Sequence, residues 1–423
     1  MIDFAKEDYH LSADINDGLQ HFRKKFKLPL VNASPAIYLT GNSLGAMPIS
    51  TAAYLQQELN DWGNLGVEGH VHAQKPWLYY HHNCKKGLAH LCGAIDTEVV
   101  AMNSLTVNLH LLMLSFYQPT SQKFKIIMEK GAFPSDQYCI ETQVLFHGYD
   151  PATAIIEVAP SVGHSISMED IVNACEGQEE CIALFLFSGV QYYTGQLFDI
   201  KNITALAHKM GAVAGFDLAH AIGNVPLQLH DAAVDFAVWC SYKYLNSGPG
   251  AVGGAFVHER HCNNLQLKRL GGWWGNDEKT RFLMRKGFVP VASVDAWQHS
   301  NAPVLSIAAL CSSLDIFLEA TIEQLRAKSI LLTGYFRYLL SKNNNENFEI
   351  ITPSSQAECG SQLSLLYQKN GKATHDALLK QGVLSDWREH NHSGEGEGVI
   401  RLAPTALYNT FAEVRQAATI IIK

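Results

Sequence analysis

Two apolar segments of the chain each end in a side chain that could do chemistry. The first ends at Asp217, within Ala-Gly-Phe-Asp217-Leu-Ala-His220, and the second runs through Trp-Cys-Ser-Tyr to Lys243. One crossover and one strand fit between them, so the carboxylate and the amine are expected at neighbouring strand ends. Singly, such an Asp is usually a cap or turn residue, and such a Lys is usually solvated. The pair in this order favours a functional site.

A lysine beside a buried carboxylate is what pyridoxal 5′-phosphate (PLP) requires of a protein. The amine forms a Schiff base with the cofactor, and the carboxylate keeps the pyridine nitrogen protonated so that the ring accepts electrons. A platform for the ring and donors for a phosphate dianion complete the requirement. The sequence therefore predicts a PLP enzyme in which Lys243 holds the cofactor and Asp217 pairs with its ring nitrogen.

The elements that must position these residues alternate between strand and helix from about residue 98 to 257. Strands are predicted at Glu98–Met102, Lys125–Met128, Ala154–Val158, Cys181–Phe187, Ala212–Phe216, Asp235–Trp239 and Val252–Val257. Helices are predicted at Leu105–Tyr117, Asp136–Leu145, Met168–Cys175 and Ile200–Met210. This alternation is typical of an α/β domain with a mainly parallel sheet covered on both faces. Ligands of such sheets bind outside the carboxyl ends of the strands.

The C-terminal third has a different pattern. Two long helices are predicted at Leu305–Leu318 and Thr321–Leu340. They precede shorter elements at Phe348–Ile351, Leu363–Tyr367, Ala373–Gln381 and Val399–Ala403, with a Gly/Glu/His loop at 390–398. We therefore predict a large domain over residues 46–304 and a smaller α+β domain formed by residues 1–45 and 305–423.

Composition and charge exclude several classes of function. The chain of 423 residues has 32 basic and 40 acidic residues, a net charge of −8, with no basic block to bind nucleic acid. No apolar run reaches the ~18 residues of a membrane span, and the first residues resemble neither a signal nor a transit peptide. The nine cysteines form no C-x-x-C pair and are expected as free thiols. A cytoplasmic protein is expected.

Two other patterns are rejected as sites. Gly248-Pro-Gly250-Ala-Val-Gly253 matches G-x-G-x-x-G, but its proline removes a donor and the segment leads into a strand, so we predict no dinucleotide site. Several histidines could suggest a metal, but none forms a recognised ligand motif, and no metal is expected. These histidines are His70, His72, His81, His82, His390 and His392.

The chain resembles the kynureninases, which are fold-type I PLP enzymes of the aspartate aminotransferase-like superfamily. Long motifs distributed over most of the sequence carry the resemblance. They are Gly41-Asn-Ser-Leu-Gly45, Gly66-Val-Glu-Gly-His70, Asn103-Ser-Leu-Thr-Val-Asn-Leu-His110, Ala132-Phe-Pro-Ser-Asp-Gln-Tyr138, Phe187-Ser-Gly-Val-Gln-Tyr-Tyr-Thr-Gly195, Phe216-Asp-Leu-Ala-His-Ala-Ile-Gly-Asn224, Trp239-Cys-Ser-Tyr-Lys-Tyr-Leu-Asn246, Gly272-Trp-Trp-Gly275, Ser300-Asn301 and Ile400-Arg-Leu-Ala-Pro404.

The resemblance implies a set of cofactor contacts. Lys243 is implied as the Schiff-base lysine and proton shuttle, Asp217 as the pyridinium partner with His220 beside it, and Phe133 as the ring platform. Phosphate is implied at Leu105 and Thr106 together with Tyr242. Further implied contacts are Ser135, Asp136 and Ser188 from the same chain, and Trp273 and Asn301 from the other subunit of a homodimer.

The resemblance also implies the reaction. The substrate is L-kynurenine or its 3-hydroxy form, and hydrolysis of the Cβ–Cγ bond gives L-alanine and anthranilate or 3-hydroxyanthranilate, in tryptophan catabolism and NAD biosynthesis. Arg401 binds the substrate α-carboxylate and joins Lys243 and Tyr242 in the catalytic set. His70, Ser300 and Asn301 match residues around the aromatic ring and favour the 3-hydroxy substrate.

Two alternatives remain at the level of sequence. A cysteine desulfurase would need a nucleophilic cysteine on a loop, and Cys359 in Ala357-Glu-Cys-Gly360 is the candidate. A non-catalytic protein could keep the fold for binding or regulation, although it would not need to retain Lys243 and Arg401. The segment from 389 to 398 also departs from the family pattern as a local insertion.

Overall fold

A computed structural model describes residues 3–264, 266–342, 346–389 and 397–423. Its helices are α1 (Tyr9–Ile15), α2 (Thr51–Leu65), α3 (Gly69–His72), α4 (Lys85–Cys92), α5 (Leu105–Phe116), α6 (Pro134–Phe146), α7 (Pro151–Ala154), α8 (Met168–Cys175), α9 (Ile200–Lys209), α10 (Glu259–Cys262), α11 (Val304–Ala320), α12 (Ile322–Ser341), α13 (Gly371–Lys380) and α14 (Phe411–Ile421). Its strands are β1 (Phe26–Lys27), β2 (Leu30–Val31), β3 (Ser34–Pro35), β4 (Ile37–Tyr38), β5 (Met47–Pro48), β6 (Val99–Ala101), β7 (Lys125–Glu129), β8 (Ile155–Val158), β9 (Ile182–Ser188), β10 (Val213–Asp217), β11 (Phe236–Cys240), β12 (Gly253–Val257), β13 (Phe348–Ile350), β14 (Leu363–Tyr367), β15 (Val383–Leu384), β16 (Asp386–Glu389) and β17 (Gly398–Leu402).

A seven-stranded sheet in the order β6-β12-β11-β10-β9-β7-β8 forms the centre of the fold. The pairs from β11 across to β8 are parallel, whereas β12 runs antiparallel to both β11 and β6. The predicted α/β fold with a mainly parallel sheet is therefore confirmed. All seven predicted strands are present, and no strand end differs from the prediction by more than one residue.

The sheet is buried on both faces because helices cover it on both sides. Every residue of β9 but the last is buried, and β11 and β12 are buried throughout. Residues of the strands divide between two separate apolar clusters, as in β7, where Ile126 and Met128 belong to one and Ile127 to the other. This is why the strands are continuous apolar runs instead of alternating patterns.

A second sheet, antiparallel and in the order β13-β14-β17-β16, belongs to the C-terminal third. It packs with α12, α13 and α14 around its own apolar cluster. The N-terminal segment joins this region, since β4 pairs in parallel with β15 and Thr40 bridges to Ala403. Of the loop predicted at 390–398, residues 390–396 lie outside the described part of the chain.

Helix α11 begins at the predicted domain boundary and packs with the helices that cover the large sheet. Its residues Ile307, Leu310 and Leu314 share an apolar cluster with Leu88 of α4. The boundary at 304/305 stays a prediction. In the described residues, no single helix has the length and hydropathy to cross a bilayer; α11 and α12 meet these criteria only as a pair, bent by 80°.

Candidate active site

A cavity opens at the carboxyl ends of the parallel strands. Strand ends, the loop after β11 and the first turns of α5 and α6 surround it. Its lining includes ten residues singled out by sequence: Leu105, Thr106, Phe133, Ser135, Asp136, Ser188, Asp217, His220, Tyr242 and Lys243. Glu129, Val190, Tyr192 and Ala219 complete the wall. The location follows the general rule that ligands of α/β sheets bind outside these strand ends.

The predicted lysine and carboxylate lie at the same edge of the sheet. Asp217 is the last residue of β10, and its Oδ1 accepts the backbone N–H of Ala219 at 2.6 Å. Nζ of Lys243 lies 3.1 Å from Nε2 of His220 and 5.7 Å from the centre of the Phe133 ring. Burial and the Lys243 ammonium hold the pKa of His220 well below its usual range. A neutral His220 can therefore accept a hydrogen bond from Lys243.

Three carboxyl groups cluster at this edge, and burial favours their neutral forms. Burial and the adjacent Asp217 carboxylate raise the pKa of Asp136 well above its usual range. Burial raises the pKa of Glu129, at the end of β7, to about 7. Both Glu129 oxygens accept the backbone N–H of Ser188, each at 3.2 Å. Burial also raises the pKa of Asp217, but the Lys243 ammonium opposes this shift and favours its carboxylate form. Among the three, Asp136 is the group most strongly held as an acid.

The start of α5 provides the polar end of the cavity. Leu105 and Thr106 form its first turn, where backbone N–H groups have no partner within the helix. Gly253 allows the close approach of this turn, since a Cβ there would lie 2.9 Å from the backbone nitrogen of Leu105. Free amides and the helix dipole suit an anion such as phosphate.

The Gly41–Gly45 motif fixes the loop that carries Lys243. The backbone N–H of Gly45 donates to the carbonyl of Tyr242 at 2.8 Å. A Cβ at Gly45 would overlap the Lys243 carbonyl oxygen and the Asn246 side chain, so only glycine fits. The N-terminal segment thus supports the lysine from outside the sheet.

Arg401 lies on β17 and is almost fully buried, with 2% of its side chain exposed. Its Nη2 pairs with Oδ2 of Asp386 at 2.9 Å, and its Nη1 donates to the carbonyl of Tyr192 at 2.8 Å. Tyr192 also packs edge-on against Phe133, with ring centres 5.1 Å apart. Arg401 therefore reaches the cavity wall through Tyr192, while its Nε has no partner among the described residues.

Besides Arg401, which reaches the cavity only through Tyr192, four predicted residues are not among those that line the cavity of the single chain. Trp273 is 47% exposed, and its indole N–H donates to the carbonyl of Arg281. Ser300 and Asn301 are also exposed, and His70 packs edge-on against Trp77 with ring centres 5.5 Å apart. The structure brings the ten other predicted residues together at the cavity.

The candidate nucleophile of the desulfurase alternative is buried. Cys359 is 3% exposed, and burial raises the pKa of its thiol. Its carbonyl accepts a hydrogen bond from Arg326, and its backbone bridges to Gln196. A buried thiol held in its neutral form is a poor nucleophile.

The residues at the cavity fit PLP. Three buried polar atoms have no hydrogen-bond partner within the described chain: Oδ1 of Asp136, Oγ of Ser188 and Nδ1 of His220. The Phe133 ring lies in the cavity wall, which also contains the rings of Tyr192 and Tyr242. A planar cofactor with ring heteroatoms and an anionic tail matches these groups.

Comparison with known proteins decides the family. The profile described as the kynureninase C-terminal domain matches residues 325–421. Kynureninases from Flavobacterium johnsoniae and Koribacter versatilis are 48% and 46% identical, over 100% and 96% of this chain and 97% and 95% of theirs. The chain belongs to the kynureninase family. The cofactor of this kynureninase-family enzyme is PLP, and its activity is that of a hydrolase acting on carbon–carbon bonds, as the sequence predicted.

Solved structures give the fold. A cysteine desulfurase from Thermococcus onnurineus superposes with a TM-score of 0.76 at 14% identity, covering 95% of this chain and 96% of that one. The cysteine desulfurase CsdA from Escherichia coli gives 0.75 at 17% identity, with 96% and 97% covered. These likenesses confirm the fold-type I architecture of the kynureninase-family chain and carry no function.

Sequence reasoning missed several residues of the site. Glu129 ends a parallel strand, the same signal that drew attention to Asp217, so it could have been found. Asp386 gave no signal, because its partner Arg401 is a neighbour only in the small sheet. Val190 and Ala219 follow strand ends and enter the lining by position alone.

Proposed function

We propose that this enzyme hydrolyses L-kynurenine and 3-hydroxy-L-kynurenine with a preference for the 3-hydroxy form, at the cavity that contains Lys243. The observation that supports the assignment of the residues is the approach of Lys243, His220 and Asp217 at one sheet edge, with Arg401 behind Tyr192. Lys243 and Asp217 can thereby serve the cofactor, while Arg401 can bind the carboxylate of the substrate.

Lys243 holds the cofactor and then moves protons. When bound, PLP stores the electrons released as bonds to the substrate's α- and β-carbons break. Nζ of Lys243 lies 3.1 Å from Nε2 of His220, which accepts a hydrogen bond from the ammonium and limits its directions of approach. Lys243 in its amine form would remove the substrate α-proton and later return a proton.

Asp217 serves the ring nitrogen, and its neighbours tune it. Asp217, buried at the end of β10, would keep the pyridine nitrogen protonated. Its carboxylate would stabilise the positive charge on that nitrogen, which water cannot hydrate in the buried site. Asp136 in its protonated form donates a hydrogen bond to Asp217, so the site does not carry a second negative charge at this position. Phe133 packs on the ring, and Leu105, Thr106 and Tyr242 hold the phosphate.

Ser135 and Ser188 add hydroxyl contacts to the cofactor. Both line the cavity, and the Oγ of Ser188 has no partner within the described chain. Arg401 binds the substrate α-carboxylate through its planar fork, a geometry that lysine cannot offer. Its Nε has no partner among the described residues, and exchange of the Tyr192 carbonyl for a substrate carboxylate at Nη1 would allow two parallel hydrogen bonds.

The active enzyme is a homodimer in which a second copy completes each site. Trp273 and Asn301 are exposed on the single chain. Trp273 packs against Phe282 with ring centres 5.5 Å apart, and the same part of the chain exposes Leu283, Met284, Phe288 and Val289. An isologous contact through this surface would bury it and bring Trp273 and Asn301 to the partner's cofactor.

Subunit complementation tests the shared site. Lys243→Ala and the double variant Trp273→Ala/Asn301→Ala are each expected to be nearly inactive, and refolding them together should restore about a quarter of wild-type activity. The restored site combines Lys243 of one chain with Trp273 and Asn301 of the other. No recovery from a mixture shown to contain heterodimers would mean that these residues act within their own chain.

The substrate preference depends on groups that pair with the ring hydroxyl. His70, Ser300 and Asn301 offer donors and acceptors from outside the single-chain cavity, so this proposal also depends on the second copy. A site that pairs a hydroxyl penalises a substrate lacking it because its buried polar groups lose a partner. His70→Ala and Asn301→Ala should each narrow the ratio of kcat/KM values between the two substrates. Unchanged ratios in both variants would overturn the preference.

Further parts of the proposal concern setting and organisation. A cytoplasmic enzyme of tryptophan catabolism and NAD biosynthesis agrees with a net charge of −8 and nine unpaired cysteines. A small domain formed by residues 1–45 and 305–423 beside a large domain of 46–304 agrees with the pairing of β4 and β15. Movement of the small domain would carry Arg401 towards or away from Lys243. Limited proteolysis with and without substrate would test that division.

A further inference from the structure

Three potential metal ligands from distant parts of the chain converge at the opposite edge of the large sheet from the active site. Glu98 directly precedes β6, His230 lies in the connection between β10 and β11, and His258 directly follows β12. Because β12 is antiparallel to its neighbours, its last residue pairs with the first residue of β11 and its end meets the start of β6. The topology thus places these three side chains together.

The two imidazoles converge on one buried carboxylate. Nδ1 of His230 lies 3.0 Å from Oε1 of Glu98, and Nδ1 of His258 lies 3.5 Å from the same oxygen. The rings of the two histidines are stacked, with centres 4.9 Å apart and planes at 19°. The Glu98 side chain is fully buried, whereas 32% of the His230 side chain is exposed, so the cluster opens to solvent on one side.

The carboxylate is held in place by the backbone. Oε1 of Glu98 accepts the N–H of Glu259 at 2.8 Å, and Oε2 accepts the N–H of Ile95 at 3.2 Å. The carboxylate orientation therefore does not depend on the histidines. Such outer contacts are typical of carboxylates that bind metals.

We propose that Glu98, His230 and His258 bind one divalent transition-metal ion of the zinc class. Zinc binds imidazole nitrogen and carboxylate oxygen at about 2.0–2.2 Å, so neighbouring ligand atoms of a tetrahedral site lie about 3.3 Å apart. The two nitrogen–oxygen separations bracket this value, and all three ligand atoms lie within 4.8 Å of one another. Nδ1 of His258 also accepts the backbone N–H of Arg260 at 3.3 Å, a hydrogen bond that the ion would replace. Water fills the open fourth position.

The ligand types select the ion. Imidazole nitrogen with a single carboxylate favours Zn²⁺, Co²⁺ or Ni²⁺ over Ca²⁺ and Mg²⁺, which prefer oxygen ligands. Arg260 places a positive charge beside His258, but it is itself paired with Asp235. Glu98, Glu259 and Asp231 place negative charge around His230, which offsets that of Arg260.

In a second group of possible ligands in the described chain, a lysine already compensates the charge of the carboxylate. His81, His82 and Asp295 also lie within 4.8 Å of one another. There, however, the ammonium of Lys85 lies 2.7 Å from Asp295 and already compensates its charge. A cation would have to displace Lys85 from Asp295, so we propose a metal site only at Glu98, His230 and His258.

The ion would act on stability and not on the reaction. It would join the segments before β6, before β11 and after β12 at the sheet edge remote from Lys243. Binding to the folded state alone raises stability in proportion to the logarithm of metal concentration over Kd. Turnover should be unchanged while thermal stability rises.

Zinc titration of the PLP-loaded enzyme, after treatment with a chelator, tests the proposal. Competition with a chromogenic zinc indicator gives Kd, and Co²⁺ absorption reports tetrahedral nitrogen and oxygen coordination. His230→Gln and His258→Gln each remove one ligand. His208→Gln is the matched control, because His208 pairs with Asp235 at 2.8 Å and is not among the three ligands.

The proposal expects one zinc ion per chain, with Kd weakened about tenfold or more in both ligand variants and unchanged in the control. It also expects a zinc-dependent rise in Tm in the wild type that both ligand variants lose. Equal affinity in all four proteins, or no binding below about 100 μM zinc, would overturn it and leave the cluster as an ion-paired contact only. Folding of each variant is checked by its PLP content and kynurenine turnover.

Discussion

Arg401 and Asp386 face each other across two antiparallel strands, β17 and β16, and join their side chains at 2.9 Å. Arg401 is buried, so its charge depends on this carboxylate and on the Tyr192 carbonyl for compensation. Arg388 contacts the same carboxylate from the solvent side at 3.0 Å. A buried cation held by one carboxylate is ready to accept a second one from a ligand.

Asp386→Asn should weaken substrate binding by releasing Arg401 from its orientation. We expect KM for L-kynurenine to rise about tenfold with a smaller change in kcat. The variant loses the orientation of Arg401, which binds the substrate carboxylate, but keeps Lys243 and the other reacting groups. Arg388→Gln is the matched control and should change KM less than about twofold, since its pair with Asp386 is partly exposed. Steady-state kinetics of both variants decide; an unaltered KM in Asp386→Asn would contradict the positioning role.

Lys243→Ala should abolish turnover and leave the fold intact. The expected loss in kcat is at least about 1,000-fold, because both covalent attachment and proton transfer need this amine. The visible absorption of the lysine-bound cofactor should disappear as well. Lys130→Ala, at an exposed lysine just after β7, is the control and should retain activity and spectrum. Residual wild-type absorption in Lys243→Ala would assign the cofactor to another lysine.

Gly45→Ala should displace the loop that carries Lys243. A Cβ there meets the Lys243 carbonyl and Asn246, so we expect weaker PLP binding and a loss of about 1–3 kcal/mol in stability. Gly63→Ala, in α2 with nothing within 4 Å, should instead be neutral or stabilising by up to about 1 kcal/mol. Cofactor titration and thermal unfolding measure both effects. Equal behaviour of the two variants would show that the Gly45 contact is readily relieved.

Glu129 should make stability fall as pH rises. Burial raises the pKa of Glu129 from 4.5 to about 7, so between these values the folded state keeps a proton that the unfolded state has lost. Stability from this group is therefore present below pH 4.5 and lost as pH rises through about 7. Glu129→Gln removes the dependence, and its stability relative to wild type should increase by about 2–3 kcal/mol between pH 5 and pH 8.

Thermal unfolding of Glu129→Gln and wild type at several pH values measures this difference. Glu141→Gln, on the exposed side of α6, is the control and should show no such trend. A constant gap between Glu129→Gln and wild type would mean that Glu129 is ionised in the folded protein throughout.

The seven strands of the large sheet could be predicted because each is a short apolar run between turn signals, a local property of the chain. The same is true of α8, whose bounds match the prediction, and whose Ser167 and Asp170 form a capping box. The strand order could not be predicted, because β12 inserts between β6 and β11 through contacts that sequence spacing does not encode.

By itself, the sequence determined the chemistry: an acid and a lysine at the ends of two apolar strands, and the motifs that identify the family. Only the tertiary structure decided which other side chains share their cavity. Glu129 and Tyr192 enter it because separate strands end at one edge, and Asp386 meets Arg401 because two strands pair in the small sheet. Burial, which shifts the pKa values of Asp136, Glu129 and His220, arises from the whole packed fold and has no local signature in the chain.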